Sequence, residues 1–230
     1  MRPSSIVLPA SLLLALSCGG SSSSGSAHLG GTISGQPFSP IESVATRAGP
    51  ATCAVPVLGP IEAQALAIRF ATYVNACDDF SDPFCLLHAS TQNLTVLFAD
   101  LSQTAGLTKL APGTYTVQPD PTAVQPQATG PLAGTALVAY AASVTTSAQC
   151  LPSPLVGQGT LRLDQITPDA ITGHVDVTLG HLSGGTFTGD GGSVSGDFSA
   201  SVCGAAISST QLCALASSAG QCTAPQGPHC

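Results

Sequence analysis

Between Ile171 and Val202 apolar and polar residues alternate with a period of two. Ile171, Val175, Val177 and Leu179 share one face of their segment, and Thr172, His174, Asp176 and Thr178 take the other. Val194, Phe198, Ala200 and Val202 form a second such apolar face. This alternation predicts half-buried β-strands, because successive side chains point to opposite sides of a pleated sheet. Gly173 and Gly196 fall on the inner faces, where a bend or a crossing strand needs room. Gly159–Ile166 reads as another strand, joined to Ile171 by the turn sequence Thr167-Pro-Asp-Ala170.

Weaker segments of the same kind precede these: Leu29–Ser34, Val44–Arg47, Ala65–Tyr73, Leu94–Phe98, Gly113–Val117 and Ala136–Thr145. The alanines of Ala63–Ala76 would also suit a helix, but Leu66, Ile68 and Phe70 alternate with Ala67 and Arg69, which favours a strand. Asp82–Gln92 suits a short helix, with Asp82 as N-cap and Pro83 in the first helical position. Residues 118–134 carry four prolines and few apolar anchors, so they read as a long exposed loop. The nine candidate strands predict one all-β domain over residues 28–203, either an antiparallel β-sandwich or a β-barrel. Residues 204–230 read as an irregular, Ala/Ser-rich tail packed on that domain, with a helical turn or two near Ser209–Ser217.

The start of the chain follows another pattern. Arg2 is the only charge before Glu42, and an apolar run of eleven residues extends from Ile6 to Leu16. A membrane-spanning helix needs about 20 residues, so this run reads as the apolar region of a secretory signal peptide over residues 1–17. Its end, Ala15-Leu16-Ser17-Cys18 followed by Gly19-Gly20 and a serine run, resembles a bacterial lipoprotein signal. The usual pattern favours Leu where Ala15 stands. The resemblance implies diacylation of the Cys18 thiol, cleavage before Cys18, acylation of the new amine by a fatty acid such as palmitate, and a Gly/Ser tether over residues 18–27. It also implies that the membrane is a partner through the lipid. Gly19 stands where Asp would signal inner-membrane retention, so the outer membrane is the implied destination. The mature chain would hold four basic against 12 acidic residues, a net charge of −8. Anionic headgroups repel such a protein, which leaves the lipid as its membrane contact.

The nine cysteines divide accordingly. If Cys18 carries lipid, the eight that remain can form disulfides in an oxidising compartment. An up-and-down meander would place Cys53 and Cys150 at one end and Cys77, Cys85 and Cys203 at the other. That geometry predicts a Cys53–Cys150 bridge and a bridge from Cys203 to Cys85 or Cys77, with Cys213, Cys222 and Cys230 tying down the tail. No Cys-x-x-Cys pair occurs, and the five histidines show no ligand spacing with cysteine, so neither metal nor other cofactor is expected.

Charged residues make up only 7% of the chain, against roughly 25% in an average soluble domain. Five Lys plus Arg cannot neutralise a row of phosphates, which sets nucleic acid aside. No Gly-x-Ser-x-Gly, His-Glu-x-x-His, Walker A or Gly-x-Gly-x-x-Gly motif is present. The best constellation lies on the outer faces of the late strands, where His174 and Asp176 point the same way near Arg162, Asp164 and Asp197. A divalent ion or a sugar would fit there, although cross-strand pairs on a solvated face explain the same residues. Asp190, in a Gly-rich stretch near His181, lacks the companion carboxylates of a calcium loop. Asp78, Asp79 and Asp82 form the acidic cluster of the chain and offer either calcium ligands or a solubilising helix cap. Asn93-Leu-Thr95 fits a glycosylation sequon but sits at a strand start, and Lys109, the sole lysine, lies in a Gly/Thr loop.

A wider resemblance rests on Gly31-Thr-Ile-Ser-Gly-Gln-Pro-Phe38, Gly159-Thr-Leu-Arg-Leu163, Ile171–Val177 and Val194–Cys203. This layout is similar to uncharacterised lipoproteins of myxobacteria, and it brings no activity with it. Two functions follow from the residues. The first is a non-enzymatic, lipid-anchored envelope module that binds a partner or serves structurally. The second is an envelope hydrolase or carbohydrate-active enzyme with a carboxylate pair outside any motif.

Overall fold

The computed structural model describes residues 25–55, 59–81, 88–100, 111–119, 137–148 and 152–204. Ten strands form one sheet: β1 (Ser26–Ile33), β2 (Gln36–Pro37), β3 (Glu42–Val55), β4 (Gly59–Ala71), β5 (Gln92–Asp100), β6 (Gly113–Gln118), β7 (Leu137–Thr146), β8 (Pro152–Ile166), β9 (Ala170–Ser183) and β10 (Thr186–Val202). Nine of them contain or overlap the nine predicted segments. The tenth, β2, has two residues, too few for alternation to register. Several strands run longer than their apolar pattern, as β8 does from Pro152 and β10 from Thr186. Gly, Ser and Thr there add ladder pairs without adding an apolar signal.

The ladder closes on itself. From β3 it passes through β4, β5, β7, β8 and β9 to β10, whose last residues return to β3 through Ser201↔Val44 and Val202↔Ala45. β1 lies beside β10, and β6 is wedged between β7 and β8. Pairing all round removes most sheet edges, as in a barrel. The chain enters at Gly25, which bridges Ser43, so the expected tether is already in the sheet by Ser26.

One core fills the inside. Ile171, Val175, Val177, Leu179, Val194 and Ala200 are fully buried, as their alternation predicts. Aromatic rings are few, yet two edge-to-face pairs join strands: Phe70 to Phe198 at 5.2 Å and Phe98 to Tyr115 at 5.1 Å. Gly173 pairs with Phe198, and a Cβ on Gly173 would lie 2.0 Å from the Arg162 carbonyl and 3.0 Å from the Phe198 ring. The room expected at this glycine is taken by that ring. The β9–β10 hairpin turns at Gly184 and Gly185, with φ of 56° and 79°, conformations that L side chains rarely adopt.

Two expectations need correction. The strands do not form a simple meander, because β6 and β7 run parallel and β10 therefore runs parallel to β3 and opposite to β4. Cys77 and Cys203 are nevertheless joined in a disulfide. They meet because the end of β10 is staggered against the start of β3, a level that β4 also reaches through Glu42↔Ala71. The second correction concerns the helix. Among the described residues the only helical turn is a 3-10 turn at Asp78–Ser81, ahead of Asp82. By Gln92 the chain is already strand, where the Gln92 amide donates to Thr72 Oγ1 at 2.9 Å and the Thr72 amide donates to the Gln92 carbonyl at 3.0 Å. The first of these bonds takes the Gln92 amide, which in a helix would donate to the His88 carbonyl. Asp82–Leu87 lie outside the described residues, as do Cys18, Cys85, Cys150, Cys213, Cys222, Cys230 and Lys109. The predicted Cys53–Cys150 bridge therefore also falls outside them.

Candidate functional site

Two polar groupings stand out, one buried and one exposed. On β4, Arg69 points away from the core, yet it is only 1% exposed. The β4–β5 connection folds back over it. There Asp79, 2% exposed, lies 3.4 Å from Arg69 Nη1, and His88 Nε2 lies 2.9 and 3.1 Å from the two oxygens of Asp79. Arg69 Nε donates to Thr95 Oγ1 at 3.1 Å, and the guanidinium sits 5.3 Å from the Phe80 ring centre. Tyr73 stacks on His88 with centroids 4.1 Å apart. Burial, with the Asp79 charge adding and the Arg69 charge opposing, pushes the Tyr73 hydroxyl up to about 12. That hydroxyl faces both groups without a well-formed hydrogen bond to either.

Local chemistry holds this connection in place. Glu42 Oε2 accepts from the Ala76 amide at 2.8 Å, and Asn75 turns the chain with φ of 64°. Cys77 is tied to Cys203. The His88 carbonyl accepts from Thr91 Oγ1 at 2.7 Å and also from Thr146 Oγ1. A buried carboxylate with a cation and an imidazole on it is compensated, and replacing one partner would strand the other charge. Arg69 and Asp79 are closed to solvent, so the pair fastens the connection to β4. The acidic residues expected to act together are divided accordingly: Asp79 faces inward to Arg69 and Asp78 is exposed.

The exposed grouping is a row across four strands. Register places Arg162 opposite His174, His174 opposite Asp197, and Asp197 opposite His28. His174 Nδ1 lies 2.7 Å from Asp197 Oδ1, and Ser195 Oγ lies 3.4 Å from His174 Nε2. Asp164, at a bulge in β8, reaches Arg162 at 2.8 Å. That hydrogen bond and the Asp164 charge hold the Arg162 guanidinium above its ordinary pKa. Asp176 points to the same side as His174 but faces Thr160 and Ser195 across the ladders, so His174 pairs with Asp197 in its place. Among the described residues no three His, Cys, Asp or Glu side chains are arranged to hold a metal ion.

Ser195, His174 and Asp197 have the connectivity of a nucleophile, a base and an orienting carboxylate. Alternation pointed to His174 and Asp197, and Ser195 could have been added because it lies two residues before Asp197 on the same face. Acyl transfer also needs amide donors aimed at a developing oxyanion, usually the largest catalytic contribution. β10 is flanked by β1 and β9 over Gly192–Ser199, so its amides are committed to ladders. Asp197 is 75% exposed, unlike the buried carboxylate of a working triad. The row therefore has the hydrogen bonds of cross-strand pairing without the donors of an acyl-transfer site.

The remaining candidates are simpler. Asp190 lies in a bulge of β10 and accepts from Thr188 Oγ1 at 3.3 Å, while His181 contributes its carbonyl to Thr188. Asn93 is 8% exposed inside β5, which denies a glycan access to it. The buried cluster was the harder one to read. Its one signal is a charged residue, Arg69, inside the otherwise apolar run Ala65–Ala71, and the partners lie 10 to 26 residues further along the chain. No family model, no curated protein and no solved structure matches the chain.

Proposed function

We propose that this protein is a lipid-anchored module of the cell envelope, destined for the outer membrane, that binds a partner or serves structurally and has no catalysis of its own. The observation that carries this reading is the order Ala15-Leu16-Ser17-Cys18-Gly-Gly after an apolar run too short to cross a bilayer. Three features support it. Seven peptide steps separate Cys18 from Gly25, so the barrel is held within about 25 Å of its anchor. The Cys77–Cys203 disulfide suits an oxidising compartment. No helix among the described residues is long and apolar enough to cross a membrane. The exposed Ser195–His174–Asp197 row is the observation that favours the hydrolase reading, and its lack of amide donors weighs against it.

Labelling of cells with radioactive palmitate tests the anchor. The wild-type chain is expected to take up label and Cys18→Ala to lose it, and equal labelling of both would sink the proposal. A fluorophosphonate probe tests the absence of catalysis. Reaction at Ser195 that is abolished in Ser195→Ala would install the hydrolase reading.

A further inference from the structure

Three large hydrophobic side chains are exposed among the described residues: Ile41 and Val74, each at 59%, and Leu182 at 36%. The first two belong to one region of the surface. The Ile41 amide donates to the Ala71 carbonyl at 2.8 Å, and the adjacent Glu42 binds the Ala76 amide, which places Val74 on the loop just beyond Ala71. Gly25, where the chain enters the barrel, bridges Ser43, two residues from Ile41. We propose that Ile41 and Val74 form a membrane-contact patch that rests against the bilayer when the lipid on Cys18 is inserted. This inference rests on the anchor proposed above.

The argument is one of reach and chemistry. Cys18 must sit at the bilayer surface if it carries lipid, and Gly25 lies within about 25 Å of it. The Ile41 region, beside the point where Gly25 bridges Ser43, is therefore within the tether's reach of the membrane. A second contact on a tethered body needs little affinity, because the anchor has already supplied a high effective concentration. Two aliphatic side chains suit the interfacial layer, where buried apolar area drives binding. Glu42 and the exposed Asp78 flank the patch, so it favours a zwitterionic surface over an anionic one. Leu182 is different. It pairs with Phe187 near the tip of the β9–β10 hairpin, twelve residues along β10 from Ser199, the neighbour of Ser26. That stretch of β10 carries it along the strand away from the chain entry at Gly25.

The chain contains no tryptophan, so a single introduced one reports its own surroundings. Ile41→Trp, Val74→Trp and Leu182→Trp are each made in the full, lipidated chain and reconstituted with phosphatidylcholine vesicles, with and without bromine on the acyl chains. Flotation of the vesicles reads the anchor, and Trp emission reads the contact. Ile41→Trp and Val74→Trp are expected to shift to the blue and to lose more than half of their emission in brominated vesicles. Leu182→Trp is expected to keep its aqueous spectrum. If the protein floats but Trp at 41 and 74 stays aqueous, the patch is wrong and the anchor stands. Equal quenching at 182 overturns the patch as well. If the protein fails to float, the anchor falls and this contact falls with it.

Discussion

Arg69 and Asp79 place two opposite charges where almost no water reaches them. Continuum reasoning gives such a pair little net stabilisation, but removing one partner leaves an unpaired buried charge that costs about 3–5 kcal/mol. Arg69→Ala is therefore expected to lower the unfolding free energy by that amount in urea titration. Replacing both residues, Arg69→Met with Asp79→Leu, should recover part of the loss, because no buried charge is then stranded and only the partly exposed His88 loses its carboxylate partner. Tyr73 adds a pH dependence. Its hydroxyl is neutral in the fold up to about 12, whereas an unfolded tyrosine ionises near 10. The unfolded state thus releases a proton first, and the stabilisation, complete below pH 10, fades as pH rises toward 12. The loss amounts to about 2–3 kcal/mol. Unfolding measured from pH 9 to 12 should show it in the wild type, and Tyr73→Phe should flatten that part of the profile.

At the level of elements, the disulfide between the β4–β5 connection and the end of β10 closes a loop of 126 residues. A loop of this length gives about 5 kcal/mol in the chain-entropy account, and measured losses of native bridges run to about 2–5 kcal/mol. Cys77→Ala with Cys203→Ala is expected to fall within the measured range. Hydrogen exchange should also quicken at Thr72–Ala76, since Cys77 is where that segment is held to β10. Gly173 supplies a second check. An added Cβ meets the Arg162 backbone, which no rotamer change relieves, so Gly173→Ala is expected to cost about 1–3 kcal/mol by thermal unfolding. Strand identity was legible wherever β-branched residues alternate with short polar ones, as in Ile171–Leu179. Strand length was not, because ladder pairing continues through Gly, Ser and Pro without an apolar signal. The helix expected from Asp82 rests on local capping residues, and near Gln92 long-range pairing with Thr72 and Thr145 overrides it.

In the whole molecule, β10 joins the first strands of the described sheet to its last. It pairs with β1, β3 and β9, so the fold cannot close until the end of the domain has been made. Amides of β9 and β10 are expected to exchange slowest, and those of the two-residue β2 fastest, in a hydrogen-exchange time course. A time course with β10 exchanging early would contradict a closed ladder. The candidate sites divide along the same line. His174 and Asp197 could be assigned to an outer face from period-two alternation, because a strand obliges alternate residues to share a side. Their mutual hydrogen bond, and the one to Ser195, depend on the register between strands, which no single segment contains. The buried Arg69–Asp79–His88 cluster lies further still from local reading, since a loop must fold back over the sheet before those charges meet.

The all-β class and the inner and outer faces of the late strands follow from alternation and composition, which act over a few neighbouring residues. Closure into a ring, the parallel β6–β7 and β3–β10 contacts, the meeting of Cys77 with Cys203 and the burial of Arg69 depend on stagger between distant strands. Stagger is set by which side chains fill one shared core, a property of the assembled chain and of no segment within it.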